Sequence, residues 1–259
     1  MSVASLRPTA ALGILGFVYR TYLEKPWRWN LLAIAVLADL VFIALHIVHN
    51  QASLLPDAAF KVQADGGYAE WWQYVKYGLI LSMAAALLAW KRDAIYVLWC
   101  TLAGYLLFDD AFRFHEQVGA RIADILPFES IAGLRGQDVG ELFVYALVGA
   151  VFASGMLLTY VRRNAESGVL LLRTCLFVGA LAFFAVGLDM ANIMTGDVRG
   201  AVLLEEGGEM LVISGMLVMV FDLFYVKLGR RRQAAALPEQ RGYAFAPSAE
   251  TSASSTRAR

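Results

Sequence analysis

The chain has 259 residues, 59% of them hydrophobic and only 17% charged, with a mean hydropathy of +0.57. Soluble domains average about 45–50% apolar and about 25% charged, so this composition excludes an ordinary water-soluble core and fits a polytopic membrane protein. Basic and acidic residues balance at 22 each, and zero net charge leaves no basic field to hold nucleic acid. Cys100 and Cys175 both lie in apolar stretches, which argues against a loop disulfide and fits no zinc spacing. The N-terminus lacks the basic region, short apolar run and small-residue cleavage site of a secretory leader.

The predicted elements begin with residues 1–29, where Arg7, Arg20, Lys25 and Arg28 surround a mildly apolar patch. This reads as a short interfacial helix or a loose cytoplasmic tail, with Trp27-Arg28-Trp29 as an interface anchor. A transmembrane domain is expected over 30–232. Its first span, Asn30–His49, is long enough to cross about 30 Å of hydrocarbon. A polar loop with Pro56, Asp57, Asp65 and Gly66-Gly67 follows. Trp71-Trp72 opens a second span that ends at Trp90, and Lys91-Arg92-Asp93 is a tight turn. The third span covers Ala94–Phe108, and its helix is expected to continue past Glu116. Residues 117–138 form a loop with an amphipathic piece (Val118, Ile122, Ile125, Leu126) suited to lying along the interface. Spans four, five and six are expected at Val139–Val161, Val169–Met190 and Ala201–Leu228. Arg230-Arg231-Arg232 closes the last, and residues 233–259 have the composition of a disordered tail.

Basic residues near span ends set orientation. Arg20, Lys25 and Arg28, then Lys91 and Arg92, then Arg162 and Arg163, then Arg230 to Arg232 all fall on one side if there are six spans. The expectation is an all-α, six-span bundle in a bacterial inner (plasma) membrane, both termini cytoplasmic.

The ionisable residues within the spans collect toward the opposite side. At about 1.5 Å per residue, Asp109 lies about 22 Å along span three, and Glu205, Glu206 and Glu209 enter span six about 6–12 Å deep. Glu141 and Asp189 sit just inside the outer ends of spans four and five. His46 and His49 occupy the outer end of span one, and only Asp39 is deep. A charge at a helix centre costs about 2.5–3.5 kcal/mol on insertion scales, so this many charges call for a shared partner. At about 100° per residue on a continuous helix, Arg113 and Glu116 fall near the azimuth of Asp109, with Asp110 and His115 flanking it on opposite sides. Glu205, Glu206 and Glu209 share one face of their helix, as do Asp39, His46 and Asn50.

Carboxylates with imidazole are ligands for iron, manganese or zinc, and helical bundles build dinuclear sites from such residues projecting inward. The candidate ligands are Asp109, Asp110, His115, Glu116, Glu141, Asp189, Glu205, Glu206, Glu209, His46 and His49. The usual Glu-x-x-His step is missing; His115-Glu116 and the Glu205/Glu206–Glu209 pair stand nearest to it. The competing reading is a salt-bridge network, for which Lys76 and Arg113 are the available cations. Asp39 is too deep for the cluster and suits a helix–helix hydrogen bond or a proton relay. Glu70, Asp124 and Glu129 read as solvated loop-end charges. Gly207-Gly208 either admits a neighbouring helix closely or loosens the turn that carries the glutamates.

The pattern Asp109-Asp110-x4-His115-Glu116, followed by Glu205-Glu206-x-x-Glu209, resembles a group of uncharacterised polytopic bacterial membrane proteins. These carry Asp-Glu-x4-His-Glu and a later Glu-Glu-x-x-Glu. The resemblance covers spans three to six, with Asp110 in place of the usual glutamate, and implies a shared polar site without an activity. The ceramidase and progestin-receptor-like membrane hydrolases hold an intramembrane zinc, but their late His-x-x-x-His is absent here. The residues therefore point to a metal-dependent membrane oxidoreductase or hydrolase acting on a lipophilic small molecule. The competing functions are an ion or proton transporter using the same acids and an accessory subunit of a membrane complex.

Overall fold

The computed structural model describes residues 25–52, 57–126, 133–161, 165–196, 198 and 200–242. Helix α1 is Pro26–Ala52, α2 Tyr68–Lys91, α3 Ala94–Phe112, α4 Phe114–Ile125, α5 Gly136–Val161, α6 Ala165–Ala182, α7 Asp189–Thr195 and α8 Ala201–Gly242. A short 3-10 turn, Ala58–Phe60, lies between α1 and α2, and a π-helical stretch, Phe183–Leu188, joins α6 to α7. No β-strand occurs among the described residues. Five stretches are long and apolar enough to cross a membrane: Pro26–Gln51, Ala94–Phe112, Gly136–Val161, Ser167–Thr195 and Ala201–Gly229. The described residues up to Phe224 form one compact unit, and those from Tyr225 on, the end of α8, belong to a second.

Local chemistry sets the helix ends. Arg92 ends α2 in the left-handed region at φ 50°, and Asp93 caps α3 by accepting the Ile95 N–H. That two-residue reversal folds α2 back along α3, and the pair packs extensively. Trp99, Tyr77, Ile80, Leu87, Ile95, Ile213, Met216 and Met219 form the centre, each 2% exposed or less. The Trp99 indole N–H donates to the Thr174 hydroxyl at 2.9 Å, so the core's largest side chain keeps its polar atom satisfied. The outside is as apolar as the inside: Ile34, Leu37, Leu147, Leu157 and Leu172 are all exposed. In lipid, such a surface carries no penalty.

The structure differs from the expected elements in several places. The third-span helix does not continue past Glu116. Arg113 adopts φ 47°, ψ 48°, ends α3 at Phe112, and lets α4 start in a new direction. The azimuths assigned to Arg113, His115 and Glu116 on one continuous helix therefore do not apply. Part of the expected 117–138 loop is helical, since α4 runs to Ile125. The first span starts at Pro26 and the fourth at Gly136, each a few residues early. The last helix runs to Gly242, past the expected end at Leu228. The expectations for residues 1–24, Glu129, Arg162, Arg163, Asp197, Arg199 and 243–259 lie outside the described residues.

Candidate functional site: an acidic cavity

The Arg113 break determines the site's geometry. Asp109, 5% exposed, accepts the His115 backbone N–H at 2.9 Å and faces the His115 Nδ1 at 3.0 Å. One carboxylate thus satisfies a donor at the start of α4, where the first turn leaves N–H groups unpaired, and orients the imidazole. The ring lies 4.9 Å from that of Tyr145 on α5. Burial alone lowers the His115 pKa. The Asp109 hydrogen bond, with the nearby Glu141 and Glu116, outweighs burial and holds it above the ordinary value.

Two glycines bring α4 against α5. A Cβ on Gly140 would stand 2.1 Å from the Gly119 carbonyl oxygen, and one on Gly119 would stand 2.6 Å from the Glu141 Cγ. Backbone contact this close carries Glu116 and His115 toward Glu141. Glu141 is 7% exposed and accepts from Gln137 at 2.8 Å.

Glutamates arrive from the other side on α8. A Cβ on Gly208 would fall 2.1 Å from the Phe184 ring, and one on Gly207 would fall 3.1 Å from Ile43. Gly207-Gly208 thus admits two neighbours at the turn that bears Glu205, Glu206 and Glu209. Phe184 belongs to the π-helical stretch, and Asp189 follows that stretch directly. A π bulge rotates the chain after it and is frequent at functional sites; here Asp189 is one of the residues facing the acids.

These residues line one cavity of about 950 Å³. Asp109, Asp110, His115, Glu116, Glu141, Asp189, Glu205, Glu206 and Glu209 are all on its wall. Glu209 lies in the electrostatic field of Asp110, Glu205, Glu206 and Asp189. The wall also holds Asp65, Glu70 and Asp138, with Arg113 and Arg135 as its only lysine or arginine residues among those described. Arg113 pairs with Asp65 at 2.9 Å and Arg135 with Asp138 at 2.7 Å. Nine carboxylates then remain beside His115. Among the described residues, no three His, Cys, Asp or Glu side chains converge closely enough to hold an ion in their present rotamers.

His46 and His49 do not line the cavity. His46 is buried, with Nδ1 accepting the Val62 N–H at 3.0 Å and Nε2 facing Asn50 at 2.8 Å. It pins the loop after α1. Asp39 also stands apart, fully buried, with Lys76 Nζ at 2.9 Å, the Trp72 indole N–H at 2.8 Å and the Ser214 hydroxyl at 2.6 Å. Lys76 further donates to the Met210 carbonyl. Neither cation named for a salt-bridge network thus reaches the nine carboxylates as a partner.

The sequence reading missed Glu70, Asp138 and several polar companions. Glu70 accepts from the Tyr74 hydroxyl and the Gly66 N–H and faces the cavity, so it is not merely a solvated loop-end charge. A signal was available. Gln73 and Tyr77, Tyr105 and Asp109, and Glu141 and Tyr145 each stand four residues apart and line the cavity, the spacing that stacks side chains on one helix face.

No curated protein and no solved structure matches this chain. The model of a family described as a domain of unknown function (DUF8692) matches residues 30–223, which include every residue on the cavity wall. The chain therefore belongs to the DUF8692 family.

Proposed function

We propose that this is a multi-pass inner-membrane protein whose acidic cavity binds a divalent or trivalent cation and uses it for chemistry on a lipophilic substrate. The charge balance carries this reading: nine carboxylates and one histidine share a cavity whose two arginines are already paired. Carboxylates gathered away from water repel one another, and a metal cation relieves that cost directly. The donor set suits iron, manganese or zinc. His115, Glu116 and Glu141 supply one group of ligands, with Asp109 behind His115, and Asp110, Glu205, Glu206 and Glu209 the other, with Asp189 beside them. Two groups favour a dinuclear centre. Binding requires rotamer changes, chiefly in the glutamates of α8. Iron would support oxidation; zinc would activate water for hydrolysis.

Helix α2 serves as the sixth span: its 24 residues extend about 36 Å, and Lys76 within it is masked by Asp39. Basic residues at the span ends then put both termini in the cytoplasm and the acids in the periplasmic half. Elemental analysis of the full chain, purified in mild detergent, tests the centre. The expected result is at least one iron, zinc or manganese per chain, falling by at least about tenfold in Asp110→Asn/Glu209→Gln. A metal-free native protein that also fails to take up these ions removes the reading.

A second reading is ion or proton transport. It is favoured by the buried Asp39–Lys76 pair, next in sequence to Tyr77, which interacts with Asp110. Proton flux in liposomes would then depend on Asp39, and flux unchanged in Asp39→Asn would remove it.

A further inference from the structure

The acids account for only one end of the cavity. Beyond them its wall is apolar, built by Leu102 and Leu106 of α3, Val148 and Phe152 of α5, and Val178 and Leu181 of α6. The whole space, about 950 Å³, is roughly thirty times a water molecule's share of the liquid. It stands at the upper end of the range for organic-ligand pockets, about 300–1,000 Å³. An ion and its ligands fill the acidic end and leave the apolar end to something else.

That apolar end opens sideways. Gly149 and Ala153 on α5 and Ala182 at the end of α6 line the cavity and are exposed. A Cβ added to Gly149 would meet nothing within 4 Å, so no neighbouring side chain covers the cavity at that position. Gly149 lies midway along the 26-residue α5, about 20 Å from its first residue. In a bilayer this opening faces acyl chains, and it admits molecules dissolved in hydrocarbon. The residues at this opening, one glycine and two alanines, carry little or no side chain to close it.

A second observation asks for a ligand. Gln73, 8% exposed, lines the cavity, and its side-chain oxygen has no hydrogen-bond partner. An unmet buried acceptor is costly. Gln73 shares this wall with Glu70, Asp109 and Asp110; ionised carboxylates only accept, and a donor carried by a bound molecule would meet the need.

We infer that the cavity takes a single-chain amphiphile from the bilayer. Its hydrocarbon tail lies between α3, α5 and α6, and its head, a hydroxyl or amine, donates to Gln73 at the edge of the acids. The inference rests on the proposed cation centre only for what the head meets beyond Gln73.

Photolabelling of the full chain in phosphatidylcholine liposomes with a diazirine-bearing hexadecanol tests it, with peptide mapping and metal content measured on the same samples. The expected label falls on inward residues such as Phe152 and is competed by unlabelled hexadecanol and hexadecylamine, which separates the two heads by potency. The methyl ether of hexadecanol, which has no donor, should compete at least about fivefold less well. Gly149→Trp should cut the inward label by a similar factor, while Gly104→Trp, also facing open space, should leave it unchanged. Label confined to outward residues such as Leu147, or an ether that competes equally, overturns the inference. Metal without competed inward label overturns this inference and leaves the cation centre standing. Competed inward label on metal-free protein supports it and overturns the centre instead.

Discussion

Asp109 does two jobs that a substitution can separate. Its carboxylate caps α4 through the His115 N–H and polarises the His115 ring. Asp109→Asn keeps an acceptor for the cap and removes the charge. The expected result is a nearly unchanged thermal midpoint with metal affinity lowered about 10–100-fold, the usual effect of losing a carboxylate behind a ligating histidine. Asp109→Ala should also lose about 1 kcal/mol of stability with the cap. Equal stability losses in both variants would contradict the capping role. The same contact gives a pH dependence. Asp109, Glu141 and Glu116 together raise the His115 pKa despite burial, so the imidazole keeps its proton to higher pH than an ordinary histidine. A metal ligand must shed that proton, so affinity should fall as pH drops through the raised value. His115→Gln should flatten that part of the profile in metal titrations; an unchanged slope would remove His115 from the ligand set.

At the scale of elements, glycine contacts decide where helices can cross. Gly140→Ala would drive a Cβ onto the Gly119 carbonyl, which is backbone and cannot step aside; overpacking of this kind costs about 1–3 kcal/mol. Gly208→Ala meets the Phe184 ring, so Phe184→Ala should partly rescue it. Gly149→Ala meets nothing and should be neutral or gain about 0.5–1 kcal/mol from helix propensity. Thermal melts in detergent rank the three; equal effects would contradict the packing. The Asp39–Lys76 pair ties α1, α2 and α8. Lys76→Met alone leaves a buried charge, which costs about 3–5 kcal/mol when a partner is removed, and Asp39→Asn/Lys76→Met should recover much of it. Elements also mark the limit of sequence reading. Apolar runs locate the spans because lipid imposes length and polarity together. The Arg113 break is invisible in them. Nothing about arginine asks for φ 47°, which costs a non-glycine residue about 1–2 kcal/mol; the Asp109–His115 contacts across the break and the Arg113–Asp65 pair offset it.

At the scale of the molecule, depth along each span was enough to gather the acids. Residues from α3, α4, α5, α7 and α8 that share one layer in sequence terms share one cavity in space. Depth was not enough to exclude His46 and His49, which lie in the same layer but off the cavity wall, His46 turned toward the loop after α1. Nor did it reveal the apolar end of the cavity, because leucines and valines facing a chamber read the same as those facing lipid. Orientation remains a matter of charge: fusion reporters at both ends should report the cytoplasm, and opposite readings would break the six-span assignment. The most direct measurement is an anomalous-difference map from crystals of the full chain grown with iron, manganese or zinc. The expected peak lies inside the cavity, within about 2.0–2.6 Å of carboxylate oxygens from Asp110 and Glu209 or from Glu141 beside His115. Peaks only at the protein surface, with the cavity carboxylates turned away from one another, would contradict it.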